Sequence, residues 1–248
     1  MNNTAETTAE PNARPLASSP LPNPNIPASY DPRSKEGPTP CPFAVIMDSQ
    51  EKMPFPFAGL TSDADKGNRP ILVRPQWSYL GVAMGDYTID GHRPDPKANP
   101  SPTLPRVSVE RKSVEDCIGT ILGFAERRER FERELANLAE INRTGEIEGR
   151  ECHGSACVIV EGSMAAVMGA VVQHGKKTRE ENVKTLYRSW IAYQQDYSVP
   201  WFFCDDRRLA EITCFRWLER FWRRVKAVER RVKKEQAEAA KTSETTLF

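Results

Sequence analysis

The sequence predicts an α/β protein with a central mixed sheet flanked by helices. Three observations carry that expectation. Short apolar runs of strand length alternate with longer stretches of helical periodicity from residue 43 onward. Apolar residues make up 39% of the 248, enough to fill a packed core. The longest apolar runs fall well short of the roughly 18 residues that span a bilayer, so no membrane partner is expected. The length allows one large domain or two small ones.

The elements follow in order. Residues 1–42 hold ten of the 20 prolines, with Ser, Thr, Asn and Ala between them, and read as a disordered Pro-rich tail. Residues 43–47 (Phe-Ala-Val-Ile-Met) form a buried strand that delivers Asp48 at its tip. Pro54 and Pro56 break the chain. Short strands follow at 71–73 and 77–84, and then Gly85-Asp86-Tyr87-Thr88-Ile89. The stretch 91–106 contains five prolines and reads as an exposed loop. A strand resumes at 107–110.

Ser113 opens one long helix, with Asp116 three positions on to complete a capping box. Ile118, Ile121, Leu122, Phe131, Leu135 and Leu138 recur along it at helical spacing. A strand at 156–160 ends in Glu161-Gly162. Residues 178–196 read as a helix, 199–204 as a strand and 206–234 as a long basic amphipathic helix, with 235–248 a flexible tail. The first twenty residues lack the pattern of a secretory signal. Six scattered cysteines without a CxxC pair read as reduced thiols of a cytoplasmic protein. Cys152, His153 and Cys157 lack the second ligand pair of a zinc finger or ribbon.

The chemistry lies where Gly85-Asp86-Tyr87 meets Val109-Glu110-Arg111-Lys112. Successive strand residues point to opposite faces, so Glu110 and Lys112 share a face and Arg111 points away. Two carboxylates from neighbouring strands are the ligands a hard cation such as Mg²⁺ takes. Such a metal polarises a phosphoryl oxygen and acidifies a bound water, while a lysine orients that water or stabilises developing charge. Taken bare, Glu-x-Lys is equally a solvent-facing ion pair.

The wider pattern is more specific. Gly85-Asp86-Tyr87, Val109-Glu-Arg-Lys-Ser113 and Asp116 together resemble the nuclease domain of the XPF family of structure-specific DNA endonucleases, whose motif is GD…ERKxxxD. The resemblance takes in Ile46-Met-Asp48-Ser-Gln-Glu51 upstream and the helical stretch 123–135 downstream. Val158-Ile-Val-Glu-Gly162, Tyr187-Arg188-Ser189 and Val199-Pro-Trp-Phe-Phe203 look like later landmarks of bacterial and phage members. It covers about residues 43–225 and implies a restriction-endonuclease-like (PD-(D/E)xK) core, with 43–234 as one nuclease domain.

By resemblance, Asp86 and Glu110 are metal ligands for Mg²⁺, with Mn²⁺ as a substitute, and Lys112 is the catalytic lysine. Asp48 joins the acidic site. Arg111 is structural or a DNA contact, Asp116 is either a cap or part of the motif, and Glu51 and Arg188 are further candidates. The implied activity is metal-dependent hydrolysis of DNA phosphodiesters, selective for branched or flap structures, in the cytoplasm or nucleoid of a bacterial or phage-infected cell. The alternative is a non-catalytic DNA-binding or scaffold relative of the same fold. The resemblance also implies pairing into a homodimer through the nuclease domain, and no nucleotide cofactor. Three departures stand out: Gln50 replaces the family's usual arginine, the 91–106 insert is long, and no helix-hairpin-helix unit is expected.

The net charge of +1 is a sum of opposite parts. Residues 1–42 carry −1, 43–215 carry −3, 216–234 carry +7 and 235–248 carry −2. The basic excess is packed onto one helix, where Arg216, Arg220, Arg223 and Arg230 lie away from the apolar stripe as candidate DNA contacts. Near-neutrality therefore does not exclude a DNA partner.

Overall fold

A computed structural model describes residues 38–62, 68–81, 84–94, 103–172 and 177–245, with the side chains of 243–245 outside the description. Most of the Pro-rich tail and the centre of the 91–106 insert thus lie outside the described residues.

The core is a six-stranded mixed sheet flanked by helices, the α/β arrangement that the resemblance implies. Its strands are β1 (Thr39–Asp48), β2 (Ile71–Ser78), β3 (Tyr87–Ile89), β4 (Val107–Lys112), β7 (Ser155–Val160) and β8 (Trp201–Phe203). They lie in the order β2-β1-β3-β4-β7-β8. The β1–β3 and β3–β4 pairs are antiparallel, and β1–β2, β4–β7 and β7–β8 are parallel. A separate two-stranded ribbon joins β5 (Glu146–Ile147) to β6 (Arg150–Glu151).

Strand alternation divides the apolar residues into two cores. On one face Val107, Val109, Cys157 and Ile159 pack against Cys214, Phe215, Leu218, Phe221 and Val225 of α5 (Arg207–Thr245). On the other, Ala156, Val158 and Val160 pack against α1 (Val114–Leu122), α2 (Ala125–Arg143), α3 (Met164–Ala170) and α4 (Arg179–Tyr197). Each β7 residue belongs to the face its parity dictates.

Several boundaries differ from the sequence reading. Strand β1 begins at Thr39, ahead of Phe43, because its first residues find backbone partners on β2. In place of the strands expected at 71–73 and 77–84 there is one strand, β2, which ends at Ser78; 79–81 and 84 are not strand. The long helix expected from Ser113 is two helices, α1 and α2, broken at Gly123. Gly123 leaves α1 in an extended conformation, and a Cβ there would collide with the carbonyl oxygen of Gly119. Helix α5 continues to Thr245, past the expected end at Lys234, where Arg150 and Gln236 contacts to Glu235 and Glu148 dock its next turn. The short α3 and the β5–β6 ribbon had no sequence signal strong enough to be anticipated.

Candidate active site

The strand register assembles four side chains into a row across one face of the sheet. Asp48 pairs with Ser78 of the parallel neighbour β2, so the two share a face. Met47 pairs with Tyr87 and Tyr87 with Val109, which sets Asp48 beside Asp86 and Asp86 beside Glu110. Ser78, Asp48, Asp86 and Glu110 therefore line up at one end of the sheet, on the face covered further along by α1 and α2. Three of the four are carboxylates.

Local structure fixes Asp86. Gly85 has φ +82°, a left-handed conformation that favours glycine. A Cβ at this position would collide with Ser108 Oγ and lie 3.1 Å from the Val109 carbonyl oxygen. On the other side Tyr87 is wholly buried; its ring stacks on Phe55 at 5.1 Å and its hydroxyl accepts from the Phe55 N–H at 2.9 Å. Held between these anchors, Asp86 accepts a hydrogen bond from the Arg111 backbone N–H at 2.7 Å.

Lys112 sits among acids. Its ammonium pairs with Glu110, lies 3.6 Å from Asp116 and 3.7 Å from Glu134, and stands 4.8 Å from the centre of the Phe131 ring. Burial alone would lower its pKa, but the carboxylates of Glu110, Glu134 and Asp116 outweigh burial and raise it. Lys112 is thus a permanent cation at neutral pH. Burial pushes the Asp86 carboxyl well up, with further repulsion from Glu110. Asp48 is raised by burial too, against backbone donors at Gln50 and Leu80 that favour its charged form.

Glu134 is the functional candidate that the sequence reading passed over. Burial, followed by repulsion from Glu110, pushes its pKa up to about 10. It comes from α2, three residues after Phe131 and one before Leu135, both of them buried core positions. A carboxylate beside that apolar stripe was the available signal. It gained meaning only when the break at Gly123 turned α2 over the row.

Arg111 lies on the opposite face, as alternation requires. It donates to both oxygens of Glu51, at 3.1 and 2.9 Å, and pairs with Glu161 at 3.0 Å. Arg207, from the start of α5, pairs with the same Glu161, and both guanidinium groups lie over the Phe55 ring. The Arg111 side chain is thus held between two carboxylates on this opposite face. Glu51 belongs to this clamp rather than to the acidic row, and Arg111 lowers its pKa against the opposing effect of burial. Its orientation needs no charge at Gln50.

The remaining candidates are more dispersed. Ser113 caps α1 by accepting from the Asp116 N–H at 3.1 Å, while the Asp116 side chain bonds Arg127 at 3.0 Å. Arg188 is exposed on α4 and is not brought to the row. Helix α5 covers the face opposite the row, so its basic residues lie across the sheet from the carboxylates. Arg216 bonds Glu219 and the Thr61 carbonyl, Arg223 bonds the same Glu219, and Arg230 bonds the Lys226 carbonyl. Arg220 is exposed.

A divalent metal can be tested against this donor set. Among the described residues, no three His, Cys, Asp or Glu side chains are gathered closely enough to form a metal site as they stand. The donor chemistry nevertheless fits a hard cation: Asp48, Asp86 and Glu110 are oxygen donors on one face. Burial first, and then the nearby Glu110, raises the pKa of Asp86 and Glu134, so a cation bound beside them would favour their charged forms.

Fold and site together define an α/β protein with a row of three carboxylates, Asp48 and Glu110 of them buried, and a buried lysine against it. Among solved structures, the chain is similar to XPF from Aeropyrum pernix, at 19% identity over 75% of this chain and 69% of that one, with a TM-score of 0.41. It is also similar to XPF from Aeropyrum pernix in complex with DNA, at 18% identity over 73% of this chain and 64% of that one, with a TM-score of 0.38. No protein-family model and no curated protein matches the chain. No helix of the described residues is long and apolar enough to cross a membrane.

Proposed function

We propose that this chain is a divalent-metal-dependent endonuclease that hydrolyses DNA phosphodiesters, with a preference for branched or flap DNA. The observation that carries the reading is the row of Asp48, Asp86 and Glu110 with the Lys112 ammonium against it. Asp86 and Glu110, with Asp48 beside them, would hold Mg²⁺ or Mn²⁺, which polarises a phosphoryl oxygen and makes a bound water acidic. Lys112 stabilises the negative charge that develops on the phosphoryl oxygens. The Arg111 backbone N–H keeps Asp86 oriented, and the Arg111 side chain braces the strand end from the other face.

Incubation with flap, fork, bubble and plain duplex DNA, in Mg²⁺ or EDTA, tests the reading. Cutting in Mg²⁺, absent in EDTA and lost in both Glu110→Gln and Lys112→Ala with the circular dichroism spectrum intact, is the expected outcome. The alternative is a non-catalytic DNA-binding relative of the same fold. Binding without cutting in either Mg²⁺ or Mn²⁺ would establish that alternative.

The same proposal places a homodimer contact along α4 and the edge strand β8. Tyr187 and Ile191 are exposed there, near half-buried Trp190 and Phe203. Light scattering should give twice the chain mass, falling to one in the double variant Tyr187→Glu, Ile191→Glu.

A further inference from the structure

The basic helix α5 and the acidic row lie on opposite faces of the sheet, so a strand seated at the row needs cationic contacts of its own. The row's face offers them. Among the described residues its helices α1 and α2 pack chiefly on β4 and β7, leaving Arg74 and Gln76 exposed on β2. These two alternate with Pro75 and Trp77 and share a face with Ser78 and Asp48.

Arg93 reaches this uncovered half from the turn after β3. Its guanidinium donates to Ser78 Oγ at 3.1 Å and lies 3.6 Å from the exposed carboxylate of Asp90. In the order β2-β1-β3, a side chain that starts beyond β3 and ends on β2 must pass over β1. It does so on the Asp48 face, since that is the face Ser78 presents. The backbone that carries Arg93 is pinned. The His92 carbonyl accepts from the Val107 N–H at 3.0 Å, the His92 Nδ1 lies 2.7 Å from the Pro105 carbonyl oxygen, and the ring packs edge-on to Phe221. The base of the proline-rich insert thus holds a guanidinium over the open sheet. Ser78 and Asp86 are two strands apart, about 10 Å. That separation suits a phosphate next along the strand rather than the one being cut.

We propose that Arg93, braced on Ser78, and Arg74 form a phosphate track on the uncovered half of the sheet, holding the DNA strand that flanks the scissile phosphodiester. The proposal rests on the endonuclease reading above and deepens it. A guanidinium suits this role because its planar fork can keep the serine contact while turning other N–H groups to phosphate oxygens.

The test is fluorescence anisotropy of a labelled fork DNA in EDTA, with binding measured across about 50–200 mM salt. Arg93→Gln and Arg74→Gln should each weaken binding several-fold and reduce the steepness of log K against log salt by about 1. Arg93→Lys should keep the slope, because the charge remains. Arg74 is exposed, so its variant reads the track even where Arg93→Gln lowers the melting temperature. Slopes equal to that of the unaltered chain in both glutamine variants would overturn the track, as would failure of the unaltered chain to bind. Binding with the expected slope changes but no cutting in Mg²⁺ would leave the track standing and sink the endonuclease reading instead.

Discussion

Arg111 sits between two residues of the acidic row's face, and while its backbone N–H holds Asp86, its side chain points away from the row. Its guanidinium is held between Glu51 and Glu161, and removing it leaves Glu51 without its paired cation and Glu161 with Arg207 alone. Arg111→Met should therefore destabilise the fold by about 3 kcal/mol, read as a lower urea midpoint, even though the methionine fills similar volume. A loss below about 1 kcal/mol would show that the clamp contributes little. Gly85 makes a second residue-scale case. Alanine there meets both a positive φ and a collision with Ser108, so Gly85→Ala should cost about 2 kcal/mol and displace Asp86. Stability unchanged within 0.5 kcal/mol, by the ordinary criterion for a neutral substitution, would contradict it.

At the scale of elements, α5 shows how one sequence feature divides into two roles. Its apolar stripe packs on one face of the sheet, beside Phe55, Phe57 and Leu60, and Leu218 is completely buried within it. Leu218→Ala should cost about 3 kcal/mol by opening a cavity under the sheet. Its basic residues are held mostly by neighbours on the helix and by nearby carbonyls, across the sheet from the carboxylates. Replacing exposed Arg220 and Arg230 together with glutamine should weaken DNA binding at low salt. It should leave single-turnover cutting at saturating DNA unchanged; a fall in that rate would place α5 nearer the reacting phosphate than its face allows. Helix α2 illustrates the opposite case: its turn at Gly123 delivers Glu134 to the row.

At the scale of the whole molecule, the acidic row makes stability depend on pH. Asp86, Asp48 and Glu134 all have folded pKa values above those of free carboxyls. Between the ordinary carboxylate pKa, about 4, and the value of about 10 for Glu134, the folded chain keeps protons that the unfolded chain releases. Stability from these groups is then greatest at low pH and is lost as pH rises. Lys112 acts oppositely to the acids in charge but not in direction: its raised pKa supplies stability that persists until pH passes its ordinary value. The melting temperature in EDTA should therefore fall between pH 5 and pH 9 (about one unit above the first limit and below the second). Mg²⁺ should reverse much of the fall by neutralising the row, and Glu134→Gln should flatten the curve. A melting temperature indifferent to both pH and Mg²⁺ would show that the row neither carries uncompensated charge nor holds a cation.

What the sequence by itself determined was local. Alternation put Glu110 and Lys112 on one face and Arg111 on the other, and parity is a property of any extended chain. The glycine before Asp86, the serine before α1 and the apolar stripe of α5 were likewise legible, because each depends on residues a few positions apart. Only the tertiary structure decided that Asp48, Asp86 and Glu110 form one row, since that needs the register between β1, β3 and β4. It also decided that Glu134 joins them, that Glu51 and Glu161 clamp Arg111, and that α5 lies behind the sheet. Each of these brings together residues far apart in the chain, through packing and strand pairing that no short window of sequence contains.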